Sequence, residues 1–467
     1  MAENTDLRLQ TRRMKNYTEA FLTEIDELAG KPVPEAVTQR IRESLLDYIA
    51  VTSAGAAFQK EKLARYEEFA QPEAGAFPVI GTGKKLVLKE AVFLNGLNGH
   101  ALDFDDGVNA GIIHLGSPIF SLLLPLAKRH DVPLSKLLWA AVIGYETSWT
   151  MAFSIQPGHK ALGYHATGTC GVLGATIAAS YMLDFTPEER RQAFAVACVS
   201  ATGMLKVLDD GSELKPYNVA KTALLALTSL QLAKAGFVGA PDPLGGYRGY
   251  FKMMTGSADV ELKPLLLNGT YAVQKTYTKP YASCRYTHPP VEAAIRLHRA
   301  GITAQDVERI DIATYSLAVG GHDHTEIPGA YSAKMSTPYS TAAALIFGKA
   351  GLQEFEDAAL TDETVLELTR KIHVTADEAF SAAFPKEQTA VLTLTTKDGR
   401  VLSERVDFPK GEPENPFREE EFHDRYLELM RFAGRPDELS ERIYRVVKEG
   451  SVTAAELADL AGEGAEE

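Results

Sequence analysis

The chain has 467 residues, 45% of them hydrophobic and 24% charged, the proportions of a folded globular protein rather than a disordered or fibrous one. A formal net charge of −14 argues against nucleic acid and anionic membranes as main partners, yet leaves room for a local basic pocket holding an acidic substrate. Length alone suggests two domains, or one large domain with an insertion.

Residues 1–15 are polar and read as loose, with no apolar core of signal-peptide type. From Tyr17 the spacing becomes helical, through FLTEIDELAG and VPEAVTQRIRESLLDYIAVTSAGA, with Gly30 and Pro34 marking a stop and a new start. A short extended piece precedes KEAVFLNGL. Beyond it come SKLLWAAVIGYETSWTMAFSI, TGTCGVLGATIAASYMLDF, TPEERRQAFAVACVSATGM and YNVAKTALLALTSLQLAKAGF. Being apolar nearly all round, these helices are expected in a buried multi-helix core. Thr186-Pro187-Glu188-Glu189 has the composition of a capped helix start.

The pattern changes near Asn268. YAVQKTYTKPYASC reads as extended, HPPVEAAIRLHRAG as helix, and VERIDIATYSLAV alternates like a strand. The helix STAAALIFGKAG follows. TAVLTLTTKDGRVLSERVDF has Asp-Gly between two alternating runs, a hairpin signal. The expected fold is mainly α with an α+β lid. Residues 1–268 form a helical domain, 269–406 a smaller α/β lid, and 407–467 a helical segment that rejoins the first domain and ends in a frayed acidic tail. Three cysteines, Cys170, Cys198 and Cys284, lack CxxC spacing and suit a reducing compartment. With no apolar run of about 18 residues for a membrane span, the sequence reads as cytoplasmic.

The stretch 95–118, NGLNGHALDFDDGVNAGIIHLGSP, gathers His100, Asp103, Asp105, Asp106 and His114 between apolar helices. Such a cluster is costly to bury unless paired or used, although a capped helix end with turning glycines would also account for it. GHKALGYHATGTCG places His165 and Thr169 ahead of an apolar helix, where free amides could bind an anion or a satisfied histidine could cap. Lys215 is expected in a loop before a buried helix, and Lys221 is placed to snorkel from it. KPYASCRYTHPPVEAA brings Lys279, Arg285 and His288 together beside Tyr281, Cys284 and Tyr286. That set suits recognition of a polycarboxylate, the alternative being a solvated basic face. Lys334 and Tyr339 sit together at the start of a further helix.

Taken in order, these blocks resemble the MmgE/PrpD family, which includes 2-methylcitrate dehydratase, cis-aconitate decarboxylase and iminodisuccinate epimerase. The family pattern NG…HALDFDDTH…HPS is matched by NGLNGHALDFDDGVNAGIIHLGSP, and GFHxTGTxG by GYHATGTCG. KPYNVAKTA, GFVGAPDPLGGYRGYF, KPYASCRYTHPPVEAA and AKMSTPYSTAAAL correspond to its later motifs, so the likeness runs from about residue 17 to 445. The resemblance implies a helical domain built from both chain ends, an inserted lid with the active site between them, a homodimer, and no metal or organic cofactor. It carries the family's active-site positions to Asp103, His114, His165, Lys215 and Lys279, with Thr169, Cys284, Arg285, His288 and Tyr339 facing the substrate.

Two departures stand out. Gly107 replaces the family's threonine, and the loop to His114 is longer, with HLGS in place of HPS. Cys284 also stands where the decarboxylase branch has a histidine. The expected chemistry is cofactor-independent proton transfer beside a carboxylate. Lys215, Lys279, Arg285 and His165 would neutralise a small di- or tricarboxylate, and His114, oriented by Asp103, would act as acid–base. Dehydration is the first expectation. Epimerisation of an iminodisuccinate-type acid and decarboxylation of cis-aconitate type are alternatives, and an inactive binding homologue is another. A metal-dependent hydrolase built on His100, Asp103, Asp106 and His114 would be a further rival, though the spacing follows no regular ligand motif.

Overall fold

The computed structural model describes residues 16–208 and 212–464; the polar stretch 1–15 and the end of the acidic tail lie outside the described residues. Helix α1 (Tyr17–Ala29) opens with Asn16 accepting from the Glu19 amide at 3.0 Å and buries Phe21, Leu22, Ile25 and Leu28. Helix α2 (Glu35–Phe58) follows Pro34 and is buried almost without a break from Ser44 to Ala56. A short ladder of β1 (Ala74–Pro78) with β2 (Lys85–Leu86) precedes α3 (Leu88–Gly99).

The core of the molecule is a packed set of α2, α3, α4 (Gly116–His130), α5 (Leu134–Ile155), α6 (Gly171–Met182), α7 (Pro187–Ser200) and α8 (Lys215–Lys234). Thr186 and Glu189 make the reciprocal capping box expected at the start of α7, with bonds of 3.2 and 2.8 Å. Small residues let the helices approach closely. A Cβ added to Gly96 of α3 would lie 2.8 Å from the Ala220 Cα of α8, so a larger side chain there would force the two helices apart. That contact places the end of α3 beside the start of α8, the two ends from which the site is built.

The second part carries a four-stranded sheet in the order β4-β3-β5-β6, with β3 (Val307–Thr314), β4 (Ile372–Ala376), β5 (Ala390–Thr396) and β6 (Val401–Val406). β3 and β4 run parallel and the other pairs antiparallel, and the Asp398-Gly399 turn joins β5 to β6 as its sequence predicts. Strict alternation along β5 turns Ala390, Leu392 and Leu394 inward, where α9 (His288–Arg299) covers the sheet and α10 (Thr337–Phe347) packs on α9.

The stretch 271–284, expected to be extended, is instead a 3₁₀ turn (Ala272–Lys275) followed by irregular chain. Its backbone groups find scattered partners rather than a neighbouring strand. Tyr277 bonds Gly107, Thr278 donates to the Gly411 carbonyl at 3.0 Å, and Cys284 donates to the Lys334 carbonyl at 2.8 Å. Three C-terminal helices, α11 (Glu419–Phe432), α12 (Asp437–Glu449) and α13 (Ala454–Gly462), pack on the N-terminal set, α11 against α2 and α13 against α4. Arg425 on α11 ties the parts together: it pairs with Asp47 of α2, and donates to the Phe104 carbonyl at 3.2 Å and the Lys279 carbonyl at 2.5 Å. Among the described residues no helix is long and apolar enough to cross a membrane.

Candidate active site

The loop between α3 and α4 holds the titratable cluster, and Asp103 is its centre. Asp103 adopts a left-handed backbone (φ 51°), a conformation that non-glycine residues rarely take and that aspartate tolerates better than most. Lys215, expected in a loop, is the first residue of α8, and its ammonium donates to Asp103 Oδ1 at 2.6 Å. Lys279 donates to the same oxygen at 3.1 Å and also to the Asp103 carbonyl. Burial would raise the Asp103 carboxyl, but the two lysines overcome it and hold the group well below the usual carboxylate range. At Asp103 one carboxylate meets two ammonium groups, and Asp105 is the next acid near enough to act on both lysines.

The histidines are equally constrained. The His114 Nδ1–H donates to the Asp106 carbonyl at 2.8 Å, so in the neutral ring Nε2 carries the lone pair, 3.7 Å from Asp103 Oδ1. Asp105 Oδ1 lies 3.5 Å from His114 Nδ1 and 2.7 Å from His100 Nδ1. His165 is fixed in the opposite sense: the Asn218 amide donates to its Nδ1 at 3.1 Å, which leaves Nε2 as the protonated nitrogen. Burial, assisted by the nearby lysines, pushes His100, His114 and His165 well below the ordinary imidazole value, so all three are neutral at pH 7. His165 does not open a long helix as expected. It caps the four-residue turn Ala166–Thr169, and α6 begins afresh after Cys170.

Asp103, His114, His165, Lys215, Lys279, Cys284 and Arg285 all line one cleft of about 300 Å³. The other three expected substrate contacts do not reach it. The Thr169 hydroxyl donates to His159 Nε2 at 2.7 Å, the Tyr339 hydroxyl donates to the Glu354 carbonyl at 2.9 Å, and His288 lies behind Arg285, accepting from it at 2.7 Å. Arg285 is itself largely spent on Glu412, with Nε at 2.9 Å and a shorter bond from Nη2, while Asn109 and Gln388 also donate to that carboxylate.

Several cleft residues carry no sequence signal of their own. Lys160 donates to the Tyr286 hydroxyl at 2.9 Å with its ammonium above that ring, and burial lowers its basicity. Tyr277, His322 and Phe384 complete the wall. A second cavity of about 530 Å³ shares Asp103 and Lys215 and opens past Lys334, whose ammonium donates to the Leu102 carbonyl at 3.1 Å. Burial pushes Lys334 down to about 7.

The metal reading fares differently from its expectation. Both Asp106 oxygens are used inside the fold, accepting from the Gly116 amide at 2.8 Å and the Tyr145 hydroxyl at 2.6 Å. Among the described residues, the ligand-capable atoms that do converge, within 4.8 Å, belong to His100, Asp103, Asp105 and His114. A divalent ion on Asp103 would face two ammonium groups already sharing one of its oxygens, a strong repulsion in a buried setting.

A helical protein with a cation-rich, buried acid–base cleft is the class that fold and site define. Residues 20–263 match the MmgE/PrpD N-terminal domain and residues 281–449 the MmgE/PrpD C-terminal domain, so the chain belongs to the MmgE/PrpD family and is an enzyme of that type. It is 27% identical to the cis-aconitate decarboxylase-like protein oryM of Aspergillus oryzae, over 95% of this chain and 96% of that protein. It is 26% identical to the cis-aconitate decarboxylase of Aspergillus terreus over 82% of this chain and 83% of the relative. The 2-methylcitrate dehydratase of Escherichia coli is 25% identical over 51% of this chain and 52% of its own length. Decarboxylases and dehydratases of this kind are lyases.

Proposed function

We propose that the chain is a cofactor-independent lyase acting on a small di- or tricarboxylate, and that it removes water from a citrate-like hydroxy acid. One observation carries the reading. His114, a residue of the cleft wall, is pinned by the Asp106 carbonyl so that Nε2 is left unprotonated, with Asp103 and Asp105 placed to stabilise the imidazolium it becomes. In this scheme His114 takes a proton from the carbon beside a substrate carboxylate, and the electrons of that C–H bond form the alkene as the C–O bond breaks. The imidazolium returns the proton to the departing hydroxyl, which leaves as water. Lys215, Lys279 and the His165 Nε2–H bind the carboxylates and hold the enolate-like charge as it develops. Closure of residues 269–406 over the cleft, as a lid on a helical domain built from 1–268 and 407–467, would exclude water during this step, and a homodimer is part of the same reading.

Decarboxylation of cis-aconitate type is the second reading. It is favoured by the names of the two Aspergillus relatives, which align over most of the chain. Cys284 in place of the decarboxylase branch's histidine counts for dehydration instead. Proton NMR in D₂O on citrate, 2-methylcitrate, cis-aconitate, malate and aspartate-derived imines separates these. Alkene formation with loss of water is the expected result. Loss of CO₂ would move the assignment to decarboxylation, deuterium wash-in without net product would indicate an epimerase, and activity lost with a stoichiometric metal on chelation would overturn the whole scheme.

A further inference from the structure

We propose that the Tyr277 hydroxyl is a substrate-contacting donor of this cleft, and that glycine at position 107 is what admits it. The inference rests on the carboxylate reading above. Gly107 and Tyr277 pair as an isolated antiparallel bridge, Tyr277 N donating to the Gly107 carbonyl at 2.9 Å and Gly107 N to the Tyr277 carbonyl at 3.4 Å. A Cβ added to Gly107 would lie 2.4 Å from the Tyr277 hydroxyl oxygen and 2.7 Å from the carbon bearing it, distances at which something must move. The phenol thus fills the place that a side chain at 107 would take. Where the family pattern puts a threonine hydroxyl on the Asp103 loop, this chain supplies a hydroxyl from across the bridge.

The ring has little freedom to withdraw. Its backbone is held on both sides by the bridge, and the Arg285 guanidinium stacks 4.7 Å from the ring centre. Burial, with Asp103, Glu412 and Asp105 nearby, keeps the phenol protonated far above neutral pH, so it is a permanent donor. The residue is 5% exposed and lines the same cleft as Asp103 and His114, yet its hydroxyl makes no hydrogen bond to any described residue. A buried, unpaired O–H on a residue of this cation-lined wall suits an anionic or hydroxyl oxygen of the substrate. Being neutral, it adds directional selection among carboxylates that the lysines, as point charges, do not provide.

Isothermal titration with citrate, 2-methylcitrate and cis-aconitate tests this on the full chain, in wild type, Tyr277→Phe, Gly107→Ala and the double variant. For whichever acid binds the wild type, Tyr277→Phe should raise Kd about tenfold or more while leaving the melting temperature in place, since only a hydroxyl is lost. Gly107→Ala should reproduce that loss by displacing the hydroxyl, and the double variant should bind no more weakly than either single one, because all three lose the same contact. Wild-type affinity in Tyr277→Phe would overturn this inference alone. Failure of every acid to bind the wild type would overturn the carboxylate reading, and this inference with it. Should Gly107→Ala fail to fold, the Tyr277→Phe comparison still decides.

Discussion

Asp103 joins three functions in one residue: it anchors two lysines, shapes a left-handed turn, and faces the nitrogen that would carry the proton. Removing one lysine would leave the other to balance the carboxylate while the site loses a cation that could bind substrate. We expect Lys215→Ala to lower turnover by at least about a hundredfold, and His165→Ala to do the same by removing the neutral donor. Steady-state rates on the acid identified by NMR check both, and a near-wild-type rate would take that residue out of the scheme. Lys334 yields a different prediction, one about stability. Its folded-state pKa of about 7 lies below the ordinary 10.5, so between those values the unfolded chain binds the extra proton. Stability from this group therefore rises with pH across the window and is least at and below pH 7. Lys334→Met should show its greatest advantage over wild type near pH 7 and lose it as pH approaches 10. Urea unfolding at pH 7 and pH 9.5 measures the difference, and a pH-independent offset would mean that Lys334 is charged in the native state.

The elements meet at Arg425, which connects α11 to α2 and to both segments that carry Asp103 and Lys279. Asp47 and Arg425 are buried, so deleting the arginine leaves an unpaired carboxylate and two carbonyls without their donor. Arg425→Ala should cost about 3–5 kcal/mol in chemical unfolding, whereas Arg425→Met with Asp47→Leu should recover much of it, since a buried pair gains little over apolar packing. A small effect in the single variant would show the α11 contact to be dispensable. This tie was not legible in the sequence, where α11 reads only as part of a helical segment that rejoins the first domain. Helices with strong periodicity, the Thr186 capping box and the Asp-Gly hairpin were legible because each is set by residues within a few positions. Lys215, Lys279, His114 and His165 could be singled out because they lie in dense motifs. What could not be read was how competing partners divide them. Thr169 goes to His159, Tyr339 to Glu354, Arg285 to Glu412 and Asp106 to Tyr145, pairings at separations of 10, 15, 127 and 39 residues that no helix or strand periodicity sets. The Gly107–Tyr277 exchange is of the same kind: the sequence shows a missing hydroxyl, and only the fold shows its neighbour.

At the scale of the whole molecule, the charged cleft exists only because two regions dock. Lys279 and Lys334 donate to the Asp103 and Leu102 carbonyls, Tyr277 bridges Gly107, and Arg425 holds the Phe104 carbonyl, so residues 102–107 are tied to the C-terminal region by their own backbone. Another part of the cleft wall, Ser316 to His322, is a short 3₁₀ turn (Ser316–Ala318) and further turns. The amides of Val319 and His322 bond only within the segment, and its ties to the rest of the chain are at its ends, Ser316 to Ser381 and His322 to Met335 and Thr337. If closure accompanies binding, it should therefore be carried by that wall and not by the Asp103 loop. Hydrogen exchange with and without a saturating carboxylate gives the answer. Amides of 316–322 should slow on binding, while those of 102–107 stay slow in both states because their carbonyl ties already restrain the segment. If exchange changes chiefly in 102–107, the anchored loop is the moving part and the cation-rich site is assembled by the ligand. If neither segment responds while calorimetry shows binding, the cleft is pre-formed and the lid reading falls.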